Sequence, residues 1–186
     1  MKTIKTIAVA LGIFVMSQVN VSAQSTVTVG GEAMYPRKNI VENAVNSKDH
    51  TTLVAAVKAA SLVETLQGSG PFTVFAPTNA AFAKLPAGTV ENLVKPENKA
   101  TLTKILTYHV VAGKIDSKEL MKRIKAGNGV ATLKTVSGGT LYAMMNGDKN
   151  IVIKDENGNV SNISIYDVYQ SNGVIHVIDA VVTPKM

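Results

Sequence analysis

The chain contains no cysteine and no tryptophan. Without cysteine there is no disulfide framework, no lipid-anchoring cysteine and no thiol nucleophile, so an apolar core alone must hold the fold. Only four Phe and five Tyr are present, and no basic stripe is interleaved with them. That composition gives nucleic-acid binding no support. The sequence also lacks a phosphate-cradling glycine loop and a Gly-x-Ser-x-Gly elbow. Beyond the first two dozen residues, no apolar run is long enough to span a membrane.

The chain starts with Lys2 and Lys5, an apolar stretch from Ile7 to Val15, and Val21-Ser22-Ala23. A basic, an apolar and a small-residue segment in this order read as a signal peptide over residues 1–23, cut after Ala23. The expected location is therefore secreted or periplasmic, with possible association to a surface and no membrane span after the signal is removed. About 160 residues remain, enough for one buried core. The formal net charge of +6 falls to +4 without Lys2 and Lys5. This mild excess favours anionic surfaces or polysaccharides.

Residues 24–36 are polar and glycine-rich and read as a loose N-terminal arm. Asn39 with Glu42 resembles a capping box for a first short helix. Asp49 is the candidate N-cap of a second, with Leu53, Ala56, Val57 and Ala60 on its inward face and His50 as an exposed neighbour. Phe72 to Phe75 form a β-rich run ended by Pro77, and Thr78 or Asn79 can cap a helical turn carrying Phe82. Phe75 and Phe82 are expected in one core. A further helix carries Leu102, Ile105 and Leu106, with His109 near the end of its inward face. Asp116 and Glu119 suggest another capped helix, with Lys118, Lys122 and Lys125 outward. From Val130 the period becomes strand-like, over residues 130–136, 140–145, 151–154, 160–169 and 174–182. Asn-Gly turns between them signal hairpins. Helices first and an antiparallel sheet afterwards indicate an α+β fold.

Three ordered stretches carry a resemblance. The first runs from Phe72 through Pro77, Thr78 and Asn79 to Phe82, the second is Tyr108-His109, and the third is Asn172-Gly173-Val174-Ile175-His176-Val177-Ile178-Asp179. They resemble the signature boxes of the fasciclin (FAS1) domain family and bracket most of residues 37–184. The resemblance implies one FAS1 wedge, with β-sandwich-like antiparallel strands packed with several short helices. It further implies an exported, bacterial-type member that works by adhesion or interaction with an extracellular or cell-surface protein or polysaccharide, as a binding module without a cofactor.

Among polar residues, His109 reads as a ligand contact or general base, or as a histidine that bonds backbone across the domain. The second fits a lone imidazole better. In animal members of the family the Tyr-His region is tied to receptor binding, which makes Tyr108 and His109, with the Ala112-Gly113-Lys114 loop, a candidate surface. The Lys118, Lys122 and Lys125 face is a separate one. His176 reads as sheet packing. Asp155-Glu156-Asn157-Gly158-Asn159 departs from a calcium loop, because its sixth position is Val160 and its twelfth Tyr166. No histidine spacing suggests zinc, so no metal is expected. No catalytic residue is assigned. The rival readings are a small apolar-ligand binder with a cavity between helices and sheet, a cell-wall or matrix hydrolase, and a structural spacer.

Overall fold

The computed structural model describes residues 26–185. The signal peptide read at residues 1–23 lies outside the described residues. The described chain opens with a small hairpin, β1 (Val27–Val29) and β2 (Glu32–Met34), turned by Gly30 and Gly31 at φ of 60° and 79°. This stretch was expected to be a loose arm. It is docked instead, because Val29 and Met34 are both buried in the main core.

Three short helices follow: α1 (Ile40–Ala44), α2 (Thr51–Ala59) and α3 (Val63–Gln67). The capping box at Asn39 and Glu42 forms in both directions. Asp49 does not cap α2. It sits within a single 3₁₀ turn, Lys48–His50, which feeds directly into the helix. Strand β3 (Phe72–Pro77) then leads into α4 (Asn79–Ala83). Thr78 caps α4, its hydroxyl accepting from the Ala81 N–H at 3.2 Å. Thr78→Ala should cost about 1 kcal/mol. The check is a lower urea midpoint at unchanged m-value, and an unchanged midpoint would show the cap to be idle.

After α5 (Thr89–Leu93) and a 3₁₀ turn at Pro96–Asn98 come α6 (Lys99–Tyr108), β4 (Val110–Ala112) and α7 (Ser117–Ala126). The remaining strands are β5 (Val130–Lys134), β6 (Thr140–Asn146), β7 (Asn150–Lys154), β8 (Val160–Gln170) and β9 (Gly173–Ile178).

Seven strands form one sheet in the order β4-β3-β9-β8-β7-β6-β5. The sheet is mostly antiparallel, with one departure from the expected pattern: β3 and β9 run parallel, from Phe72 opposite Gly173 to Pro77 opposite Ile178. Both strands are almost fully buried, as expected of strands covered on both faces. Strand β8 turns the corner. Its first residues pair with β7 and its later ones with β9, across register shifts between Ile163 and Val168. Asp167 has φ of 56° in this irregular stretch. The two outermost strands then meet, with Val111 bridging Thr135 and the Val136 N–H donating to the Val110 carbonyl at 2.8 Å.

Two apolar clusters result. One lies between the sheet and α1, α2, α4 and α6, and holds Val74, Ala76, Phe82, Leu106, Ile175 and Val177. The other fills the curl of the sheet under α7, with Phe75, Tyr108, Leu120, Leu133, Ile153 and Ile178. Phe75 and Phe82 therefore enter different clusters, contrary to the single core expected. Strand alternation points Phe75 away from Val74 and Ala76, while α4 packs over the Val74 and Ala76 face.

Candidate functional site

The Tyr108-His109 pair closes α6 and is wholly internal. Tyr108 has no exposed surface and His109 is 2% exposed. The Tyr108 hydroxyl donates to the Thr140 carbonyl at 2.6 Å and accepts from the Glu156 N–H at 3.1 Å. Burial pushes its pKa up to about 12. Its ring lies against Gly139, where a Cβ would stand 2.6 Å from Cε2. His109 Nδ1 lies 2.8 Å from the Ile105 carbonyl, and Nε2 accepts from the Val182 N–H at 3.3 Å. A carbonyl only accepts, so Nδ1 carries the proton and the ring is neutral. Burial pulls its pKa down to about 4. Both ring nitrogens are engaged by backbone, so in this geometry neither takes a proton from a substrate or faces an outside partner.

His176 repeats the arrangement with the opposite tautomer. Nδ1 accepts from the Asp167 N–H at 3.4 Å, and Nε2 donates to the Ile115 carbonyl at 2.9 Å. Its ring stacks on Phe75 with centroids 5.7 Å apart. Burial lowers its pKa. The unusual backbone of Asp167 is what presents that N–H, and the Asp167 carboxylate meanwhile accepts from Ser117 at the start of α7.

The remaining motif residues tie the chain together. Asn172 Oδ1 accepts from the Ile40 N–H at 3.0 Å, and its Nδ2 donates to the Leu66 and Gly68 carbonyls at 2.8 Å each. At Gly173 a Cβ would stand 2.1 Å from the Phe72 carbonyl oxygen, so a side chain there is blocked by the neighbouring strand. Asn79 accepts from the Thr52 N–H at 3.0 Å and donates to the Lys48 carbonyl at 2.9 Å. Asp179 accepts from Asn162 and Ser161 and pairs with Lys84 at 3.8 Å. Asp155 closes a hairpin turn, accepting from the N–H groups of Asn157 and Asn159, and also holds Thr183.

The lysines are outside. Lys114, Lys118, Lys122 and Lys125 are all exposed. On α7 the last three fall at i, i+4 and i+7 and so share one face, while Leu120 and Ile124 are buried on the other. Asp116 fixes the helix start by accepting from the Glu119 N–H at 2.9 Å and from the Tyr169 hydroxyl at 3.2 Å. Glu119 turns to Arg123, at 2.8 Å, rather than back to the cap. Lys114 stands 4.8 Å from the centre of the Tyr169 ring. Thus the structure separates the two candidate surfaces: the Tyr-His pair is interior, and Lys114 stands near the start of the lysine-bearing helix.

Sequence reading missed His50. It is 3% exposed rather than an open cap neighbour. The signal was present in the spacing, because His50, Leu53 and Val57 fall at i, i+3 and i+7 on the inward stripe of α2.

A family model for the fasciclin domain matches residues 48–184. Protein sll1483 of Synechocystis sp. is 46% identical over 173 residues, covering 92% of this chain and 87% of the relative. The cell surface glycolipoprotein MPB83 of Mycobacterium bovis is 31% identical over 170 residues, covering 88% of this chain and 68% of the relative. Among solved structures, a FAS1 domain pair from the insect cell adhesion molecule fasciclin I matches with a TM-score of 0.68 at 21% identity, over 78% of this chain. The chain spans 51% of that pair.

Proposed function

The chain belongs to the fasciclin-domain family, and from that membership we propose that it works outside the cytoplasm by non-covalent recognition of a protein or polysaccharide. The α7 face of Lys118, Lys122 and Lys125 carries this reading. It sets three exposed cations about one turn apart on a helix anchored from below by Leu120 and Ile124. An anionic partner, such as an acidic polysaccharide or an acidic protein surface, is the complement of such a face. The expected export signal supports the setting, as does the description of MPB83 as a cell-surface glycolipoprotein and of fasciclin I as a cell adhesion molecule.

The test is binding of the purified protein to immobilised anionic polysaccharides, matrix proteins and cell-surface extract at low and high salt. Saturable binding that weakens with salt is expected. The triple variant K118E/K122E/K125E should lose at least about tenfold in affinity while melting within a few degrees of the parent, since the changed side chains are exposed. Equal binding by parent and variant would remove α7 from the mechanism.

A further inference from the structure

The chain contains four Asn-Gly pairs: Asn128-Gly129, Asn146-Gly147, Asn157-Gly158 and Asn172-Gly173. In such a pair the glycine nitrogen can attack the side-chain amide before it, since glycine carries no Cβ to hinder the approach, and this reaction is one reason asparagine is thermolabile. The attack needs a free side chain and an uncommitted glycine N–H. The fold withdraws one or both at three of the four pairs. Asn172 is buried, with its side chain committed to the Ile40 N–H and to the Leu66 and Gly68 carbonyls. The Asn157 amide donates to the Thr183 and Pro184 carbonyls at 3.0 and 3.3 Å, and the Gly158 N–H donates to the Asp155 carbonyl at 3.2 Å. After Asn128, the Gly129 N–H donates to the Ile124 carbonyl of α7 at 2.8 Å.

The remaining pair stands apart. Asn146 and Gly147 are exposed at the tip of the β6–β7 hairpin. Among the described residues, neither the Asn146 side chain nor the Gly147 N–H finds a hydrogen-bond partner. Gly147 has φ of 72°, which glycine adopts without strain, and a Cβ there would meet nothing within 4 Å, so nothing packs over the turn. Asn146 pairs with Asn150 in the last rung of the ladder, and a terminal rung opens at the least cost.

We propose that Asn146 is a site of covalent modification, deamidation through a cyclic imide, with water as the only co-reactant. The Gly147 nitrogen bonds to Asn146 Cγ as the Cγ–Nδ2 bond breaks, and ammonia leaves with the Gly147 amide proton. Water then adds to one of the two imide carbonyls. Opening at Cγ yields aspartate, and opening at the main-chain carbonyl yields isoaspartate, in which the chain runs through the former side chain. Either product adds one negative charge beside Asp148 and Lys149. Isoaspartate also lengthens the main chain by one carbon at the Asn146–Asn150 rung. The core residues of β6 and β7 nearest the turn are Ala143 and Ile151, so the change falls outside the packed interior and the folded protein can carry it. The assignment does not depend on what the α7 lysines bind.

The test is tryptic mapping with fragmentation after prolonged incubation in mildly alkaline buffer, with the protein native and in urea. In the native protein aspartate and isoaspartate are expected at Asn146 at least about fivefold faster than at any other Asn-Gly pair, the factor supplied by one hydrogen bond that must be given up before attack. In urea those bonds are gone and the preference should disappear. Asn146→Gln, whose longer side chain closes the ring far less readily, should remove the main acidic species formed by the native protein while melting as the parent does. Native protein that stays intact at Asn146, earlier conversion at another pair, or a preference for Asn146 that persists in urea would each overturn the assignment.

Discussion

Replacing Asn172 by Ala should lower the unfolding free energy by about 3 kcal/mol, from three lost hydrogen bonds of roughly 1 kcal/mol each. The side chain is buried between α1, α3 and the start of β9. Its oxygen is the partner of the Ile40 N–H, an N-terminal helix donor with no intrahelical acceptor, and its amide holds the Leu66 and Gly68 carbonyls at the end of α3. No substitute acceptor or donor reaches those places when the side chain is cut to a methyl group. For a domain of this size the change corresponds to about 6–12 °C in Tm. Asn172→Asp should be worse than Asn172→Ala at neutral pH. It keeps the acceptor for Ile40 but sets a carboxylate oxygen against two carbonyls that now receive a proton from the amide. Urea unfolding of the three proteins gives the order directly. An aspartate variant as stable as the parent would show that Asn172 is not the junction described.

Acidification should destabilise the protein well above the range in which carboxylates titrate. His109 is neutral in the fold with its pKa lowered to about 4 from 6.5, chiefly by burial. The unfolded chain takes up that proton near pH 6.5 and the folded chain only near pH 4. Between those values the unfolded state binds more protons, so stability is fully present above about pH 6.5 and is lost as the pH falls towards 4. A shift of this size corresponds to about 3 kcal/mol from His109 alone. His50 and His176 are shifted in the same direction, also chiefly by burial, and add to the loss with the same sign. Unfolding free energies measured at intervals from pH 7.5 to 4 should fall steadily, and His109→Gln should flatten part of the slope. A flat profile above pH 5, or a His109 ring seen by NMR to titrate near 6.5, would contradict the buried neutral arrangement.

The sequence made the elements legible where local chemistry decides them. Asn39 with Glu42, Thr78 and Asp116 each cap the helix that their side chains suggest, because a cap is settled within four residues. The strands from β5 to β9 follow their β-branched runs and Asn-Gly turns for the same reason. What was not legible depends on partners distant in the chain. Nothing near Phe72 states that β3 lies parallel to a strand a hundred residues away. Nor does the segment at residues 27–34 reveal that Val29 and Met34 find a core to enter. His50 is the instructive case for the candidate site. Its spacing placed it on the inward stripe, but its polarity and the neighbouring Asp49 argued for solvent. Only the fold shows that the 3₁₀ turn before α2 buries it. The α7 lysines were legible as an exposed face, since helical period and charge give the same answer there.

The bridge between Val111 and Thr135 constrains the kinds of partner open to this domain. Many recognition domains capture a peptide by letting it continue the sheet as one more strand, with main-chain groups supplying the affinity. Here the two outermost strands already spend such groups on each other at the Val110–Val136 contact. A visitor that reads backbone has little to template on at that seam, and accidental stacking of copies through it is blunted too. At that seam, recognition is left to side chains.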